Sequence, residues 1–153
     1  MREKRMRASR LRRKPFIWDN HIANDGRARC SHLYLDFWAQ GWSIDADMVA
    51  GIAINPMNQP HLSRIPLASF GDSSVQADCT FAASVRSICG AALGEEITRD
   101  LDLFQHHGLA ELDPGTRARL LEKYRGFESQ RCSLEIGEWL RGGYEFDPNC
   151  LTE

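Results

Sequence analysis

The predicted fold depends most on residues 30–38, which read CSHLYLDFW. In this stretch Leu33, Leu35 and Phe37 alternate with more polar neighbours. A period of two residues is that of a β-strand with one buried face. We therefore predict a strand here, with its apolar side chains in the core.

A second extended segment follows at residues 49–54, which read VAGIAI and are stopped by Asn55-Pro56. A hairpin between the two segments would bury their apolar faces together, so we predict a short antiparallel sheet. Residues 55–74 contain three prolines and no sustained period. This composition predicts a long loop, a type of segment that often carries function.

The C-terminal half shows helical spacing and helix-end signals. The first predicted helix has apolar residues on one face after a Ser73-Ser74 cap, the second ends at a glycine, the third has a capping aspartate before a proline, and the fourth ends at a glycine pair. The apolar face of the first helix consists of Ala77, Phe81, Val85, Ile88 and Ala92. The second helix runs from Glu95 to His107 and stops at Gly108. The third begins with Asp113 and Pro114, and the fourth begins at Ser133 and is ended by Gly142-Gly143. We therefore predict an α+β fold, in which a short antiparallel sheet precedes about four helices.

Composition limits the protein classes. The chain has 153 residues, 42% of them apolar and 26% charged, with a formal net charge of −2, which favours one compact domain. No apolar run reaches the 18 or more residues of a membrane span. The five cysteines are an odd number without a dense, regular spacing, so we predict reduced thiols and a cytoplasmic protein.

The charge is strongly uneven along the chain. Residues 1–14 carry a net charge of +7 and residues 15–153 a net charge of −9. We predict a flexible basic arm at 1–14, a single α+β domain at 15–153, and binding of the arm to nucleic acid or a ribonucleoprotein. A solubilising tail and a mitochondrial presequence are the alternatives for this arm. The predicted nucleic-acid-binding residues are Arg2, Lys4, Arg5, Arg7, Arg10, Arg12, Arg13 and Lys14.

An aromatic cluster follows the arm directly. Exposed aromatic rings beside basic residues suit either stacked nucleic-acid bases or a protein interface. Trp38 lies opposite the apolar face of the first predicted strand, and the Gln40-Gly41 turn would bring Trp42 near it. We predict a partner-binding surface made of Trp18, Trp38 and Trp42.

Motifs that carry chemistry are few. The sequence lacks the common phosphate-binding loops, the His-Glu-x-x-His metal motif and the Gly-x-Ser-x-Gly nucleophile turn. Cys30 and His32 would share one strand face and form a thiol–base pair, and Asp45 and Asp47 would share a divalent ion if extended. The weakness of these patterns leads us to predict no catalytic residue, no metal and no cofactor.

These observations lead to one function hypothesis and two alternatives. The first is a non-enzymatic regulatory protein that contacts nucleic acid through the basic arm and the aromatic surface. The second is an inhibitor of a host protein complex, such as an anti-CRISPR protein or a transcription regulator of a phage, that acts through the acidic body. The third is a small hydrolase or transferase that uses Cys30 and His32.

Overall fold

The structure is a computed structural model that describes residues 13–39, 46–73 and 81–146. Within these ranges it has two strands and four α-helices. They are β1 (Phe16–Asp19), β2 (Gly51–Ile54), α1 (Pro60–Ser73), α2 (Phe81–Asp102), α3 (Pro114–Arg125) and α4 (Arg131–Leu140). Short 3-10 turns occupy Ala46–Met48 and Leu109–Glu111, and a π-helical turn, Leu103–His107, continues α2. The α+β class is correct.

The predicted antiparallel sheet is wrong, because β1 and β2 are parallel. Phe16 lies opposite Gly51 and Asp19 lies opposite Ile54. Within the predicted segment 49–54, residues 51–54 form a strand, but its partner is the segment just after the basic arm. A parallel pair needs a crossover connection of a dozen or more residues, and residues 20–50 supply it.

The first predicted strand is part of this crossover. Leu33, Leu35 and Phe37 are fully buried, so the alternation identified core residues correctly. Their backbone is irregular because its hydrogen bonds go to the end of α2. The N–H of Leu33 donates to the Phe104 carbonyl at 3.0 Å, and the Gln105 side chain bonds both backbone groups of Asp36.

The predicted loop at residues 55–74 contains helix α1. Pro60 occupies the first helical position, where its missing N–H has no partner to lose. The backbone N–H groups of His61 and Leu62 donate to the two carboxylate oxygens of Glu135, at 2.9 and 2.8 Å. Glu135 is buried on α4, so this helix start is capped from a distant part of the chain.

The two helices predicted between residues 77 and 107 form one element with a break. Gly90 has φ 76° and ψ 170° inside α2, and Gly108 ends the π-helical turn with φ 70° and ψ 171°. The predicted Ala77 and the Ser74 cap lie outside the described residues. The predicted stop at Gly108 is confirmed.

The last two helices agree with the sequence pattern. The Asp113 side chain accepts a hydrogen bond from Thr116 N at 3.0 Å, and Pro114 is the first residue of α3. Helix α4 begins at Arg131, two residues before the predicted start at Ser133. The local cap at Asp113 was sufficient to locate α3, whereas α4 begins without a side-chain cap.

An apolar core and a buried charge cluster join the helices. The Phe104 ring contacts Tyr124 and Trp139, with centroids 5.8 and 5.6 Å apart. Beside it the buried Asp100 accepts from Lys123 Nζ and from Tyr124 OH, each at 2.8 Å. Asp100 belongs to α2, and Lys123 and Tyr124 belong to α3, so these bonds hold the two helices together. Removing one partner would leave a buried charge uncompensated.

Gly108→Ala should destabilise the fold more than Gly90→Ala does. Both residues have backbone dihedral angles that only glycine adopts readily, and any other residue in this conformation costs about 1–3 kcal/mol of stability. A Cβ on Gly108 would also lie 2.7 Å from His32 Nε2 and 2.8 Å from the Ser31 carbonyl, whereas one on Gly90 would meet nothing within 4 Å. Urea unfolding of the two variants measures the difference, expected to be at least about 1 kcal/mol. Equal losses would contradict this account.

Candidate functional site

The parallel pairing brings the carboxyl ends of β1 and β2 to one side of the sheet. The backbone N–H of Asn55, just after β2, donates to the Asp19 carbonyl at the end of β1, at 2.8 Å. The two loops therefore leave the sheet side by side. In sheets with parallel strands, ligands bind outside these carboxyl ends.

A buried asparagine fixes the two loops to each other. Asn24 is 1% exposed. Its Nδ2 donates to the His32 carbonyl at 3.0 Å and to Gln59 Oε1 at 2.8 Å, and its Oδ1 accepts from Asn58 N at 2.8 Å. The side chain thus uses both donors and its acceptor to hold the loop after β1 against the loop after β2.

Arg29 stabilises the loop after β1 from the other side. Its guanidinium donates to the carbonyls of His21 and Ala23, each at 2.6 Å, and lies over the Tyr34 ring at 4.0 Å. Two well-anchored loops give the side chains at their tips defined positions.

Four polar side chains at the loop tips form what we call the strand-end site: Asp19, Asn20, Asn55 and Asn58. Asn20 and Asn58 are exposed, and Asp19 and Asn55 are half-buried. Asp19 Oδ1 accepts from His21 N at 2.7 Å. Asn20 Oδ1 accepts from the indole Nε1 of Trp18 at 2.9 Å, which leaves the Asn20 amide nitrogen as an outward donor. The site therefore offers both donors and acceptors.

The predicted tryptophan surface is present only in part. Trp18 is 68% exposed on β1. Trp38 is half-buried and packs on Phe37 and Phe70, with ring centroids 5.2 and 6.3 Å away, so the prediction of an exposed ring there is wrong. Trp42 lies outside the described residues. A partner-binding role for these rings stays a prediction.

Most of the basic arm also lies outside the described residues. Arg13 and Lys14 are exposed, and the other six predicted basic residues precede residue 13. The boundary between arm and domain, and the nucleic-acid, ribonucleoprotein and host-protein partners, stay predictions.

The predicted Cys30–His32 pair does not form. Residues 26–31 turn, so the two side chains do not share a strand face. Cys30 Sγ donates to the Arg27 carbonyl at 3.4 Å, and His32 Nδ1 bonds Ser31 Oγ at 3.0 Å. Burial, with Arg29 nearby, lowers the pKa of His32.

The structure describes one of the two aspartates suggested as a divalent-ion pair. Of the predicted aspartate pair, Asp47 is exposed in a 3-10 turn and Asp45 is outside the described residues. In the part of the chain that the structure describes, no group of three or more His, Cys, Asp or Glu residues is arranged to hold a metal ion.

No helix among the described residues is long and apolar enough to cross a membrane. The cytoplasmic location stays a prediction.

Comparison with known families decides between the function hypotheses. The model of a family described as beta-N-acetylglucosaminidase matches residues 2–105, more than half of the chain. The chain belongs to the beta-N-acetylglucosaminidase family. No curated protein and no solved structure matches the chain significantly.

Membership of the beta-N-acetylglucosaminidase family overturns the function hypotheses drawn from charge and aromatic content. A nucleic-acid-binding regulator and an anti-CRISPR-type inhibitor are both wrong as functions, because the family model indicates glycosidase-related chemistry. The hydrolase based on Cys30 and His32 loses its site, since the two side chains do not pair. All four residues of the strand-end site lie inside the matched range.

Sequence reasoning missed the strand-end site, although it carries a signal. Asp19 ends β1 and Asn20 follows it, and Asn55-Pro56 follows β2 directly. We predicted no strand at residues 16–19, and an antiparallel hairpin of residues 30–38 with residues 49–54 does not bring these two positions together. A parallel pairing would have brought both dipeptides together.

Asn24→Asp should destabilise the protein strongly while keeping the side-chain shape. The carboxylate would lose both donated hydrogen bonds and face the His32 carbonyl and Gln59 Oε1, at a cost of about 3 kcal/mol or more. The cost should grow as the pH rises above about 4, because only the protonated acid has a donor. Urea unfolding at pH 4 and pH 7 measures it. Asn58→Asp, at an exposed side chain, is the control, and a similar loss in both variants would refute the role of Asn24.

The His107 imidazole should titrate above its ordinary range. The hydrogen bond that His107 Nδ1 donates to the Glu111 carboxylate at 3.0 Å is the main cause of its raised pKa, and the Asp102 carboxylate, 3.1 Å from Nε2, adds to it. Since the folded pKa is raised, this contribution to stability is full below about pH 6.5 and lost as the pH rises through the folded value. NMR titration should show a larger fall of the pKa in Glu111→Gln than in Asp102→Asn. The opposite order would disprove the assignment.

Proposed function

We propose that this protein binds the N-acetylglucosamine ring of a β-linked glycoside at the strand-end site. The observation that carries the proposal is the parallel register of β1 and β2, which places the two polar loop tips together. Both tips lie within the range matched by the family model.

The chemistry of the strand-end site suits a sugar. A pyranose presents hydroxyl groups that both donate and accept hydrogen bonds, and its acetamido group does the same. Asparagine amides match this mixed pattern, and the Asp19 carboxylate accepts from hydroxyl groups. The site is formed by side chains on anchored loops, which is how precise polar recognition is achieved.

Trp18 adds an apolar surface beside these polar groups. Its ring is 68% exposed and its indole Nε1 is bonded to Asn20, so the ring and the amide are held as one unit. An exposed tryptophan offers a rigid flat face with a polar edge. The C–H face of a sugar ring would pack on it while the hydroxyl groups reach Asn20.

The proposal concerns binding. Glycosidases of the common type use a pair of carboxyl groups across the scissile bond. The strand-end site contributes the single carboxylate of Asp19. Recognition of the sugar is therefore the part of the family's chemistry that these residues support.

Asn20→Ala and Asn55→Ala should each weaken binding of methyl N-acetyl-β-D-glucosaminide by about tenfold, the effect of one lost hydrogen bond of about 1.4 kcal/mol. Isothermal titration calorimetry measures the affinity. Gln130→Ala is a matched amide control, because the Gln130 side chain makes no capping bond at the start of α4. Methyl β-D-glucopyranoside, which lacks the acetamido group, should bind more weakly than the first ligand.

Two results would overturn the proposal. One is no measurable binding of the N-acetylated glycoside to the unmodified protein. The other is binding that neither Asn20→Ala nor Asn55→Ala reduces. Circular dichroism of each variant shows whether its fold is intact, and both positions are at least partly exposed, so intact folds are expected.

A further inference from the structure

A cavity lies where the loop after β1 meets the start of α3 and the end of α4. Its volume is about 260 Å³. It shares no residue with the strand-end site, and most of its lining follows residue 105, beyond the matched range. The lining residues are Cys30, Ser31, Leu109, Ala110, Arg117, Trp139, Gly142, Tyr144 and Glu145.

Two opposite charges line this cavity without pairing. The half-buried Arg117 donates from Nε to the Leu140 carbonyl, a bond that holds the guanidinium and leaves its two terminal nitrogens. Among the described residues neither Arg117 nor Glu145 has an ion-pair partner. Two terminal guanidinium nitrogens match the two oxygens of a carboxylate, and a glutamate matches an ammonium group.

A buried donor in the cavity wall also lacks an acceptor. Trp139 is 1% exposed, and its indole N–H has no hydrogen-bond partner within the described ranges. Buried N–H groups without an acceptor are rare because leaving them unsatisfied is costly. Protein atoms cover this nitrogen, so a ligand in the cavity meets other atoms of the Trp139 side chain.

Apart from Ser31, the rest of the wall is apolar or aromatic. Leu109 and Ala110 contribute aliphatic surface, and the Tyr144 ring is held by its hydroxyl, which donates to Glu138 Oε2 at 2.6 Å. Cavities for drug-sized ligands are about 300–1,000 Å³, so this one suits a smaller molecule with an apolar part.

We propose that this cavity binds a free α-amino acid with an apolar side chain. The ligand carboxylate pairs with Arg117, and its ammonium group pairs with Glu145. The side chain packs on Leu109 and the Tyr144 ring. A neutral sugar would leave both charges uncompensated, and a phosphate would be repelled by Glu145.

The test compares L-leucine with two analogues, each of which lacks one of its two charges. Calorimetry with L-leucine, N-acetyl-L-leucine and L-leucinamide should show the tightest binding for L-leucine. Each analogue loses one charge-assisted contact and should bind about tenfold more weakly. In NMR spectra L-leucine should shift the Trp139 indole N–H signal, which is identified by its absence in Trp139→Phe.

Glu145→Gln separates this site from non-specific binding. Glu145 is exposed and makes no ion pair with the residues that the structure describes, so the variant should fold normally. It should bind L-leucine about tenfold more weakly and leave the affinity for N-acetyl-L-leucine unchanged, because that ligand has no ammonium group. Glu95→Gln, at another exposed glutamate, should change neither affinity.

Three outcomes would overturn the proposal. They are no binding of L-leucine to the unmodified protein, equal binding of all three ligands, and an unchanged affinity for L-leucine in Glu145→Gln. A shift confined to indole signals other than that of Trp139 would also place the ligand elsewhere.

Discussion

The buried amide of Asn24 is the contact on which the arrangement of the N-terminal half depends. It joins the loop after β1, the core segment at His32 and the start of α1 through Gln59. An amide is the side chain that supplies two donors and an acceptor at the same point. Without it the two parallel strands would still end on the same side, joined there by the bond from the Asn55 N–H to the Asp19 carbonyl, but Asn58 and Gln59 would lose their contact with the loop after β1.

Features whose causes are local could be predicted from the sequence, and features whose causes are distant could not. The Asp113 cap and the Gly108 stop depend on residues within one turn, and both are present. Helix α1 depends on Glu135, which lies more than 70 residues away. The three prolines of residues 55–74 and the lack of a sustained period predicted a loop there.

The same distinction applies to the candidate sites. The alternation of Leu33, Leu35 and Phe37 identified buried residues correctly, since alternation reports burial and not strand pairing. The spacing of Cys30 and His32 required a strand to bring the side chains together, and the chain turns there instead. The strand-end site could be predicted only from the parallel pairing of β1 and β2. That pairing joins strands separated by a crossover of about 30 residues, and no local sequence pattern specifies it.

The break at Gly90 has a geometric consequence for α2. Phe81, Val85, Cys89, Leu93 and Ile97 are all buried, and they recur every four residues. In a straight helix of 3.6 residues per turn, each such step drifts by about 40°, so the series would wind by about 160° around the axis. Phe81 and Ile97 would then point in nearly opposite directions. One non-helical residue resets the angular phase, so a repeat of four keeps facing a single core over five successive positions.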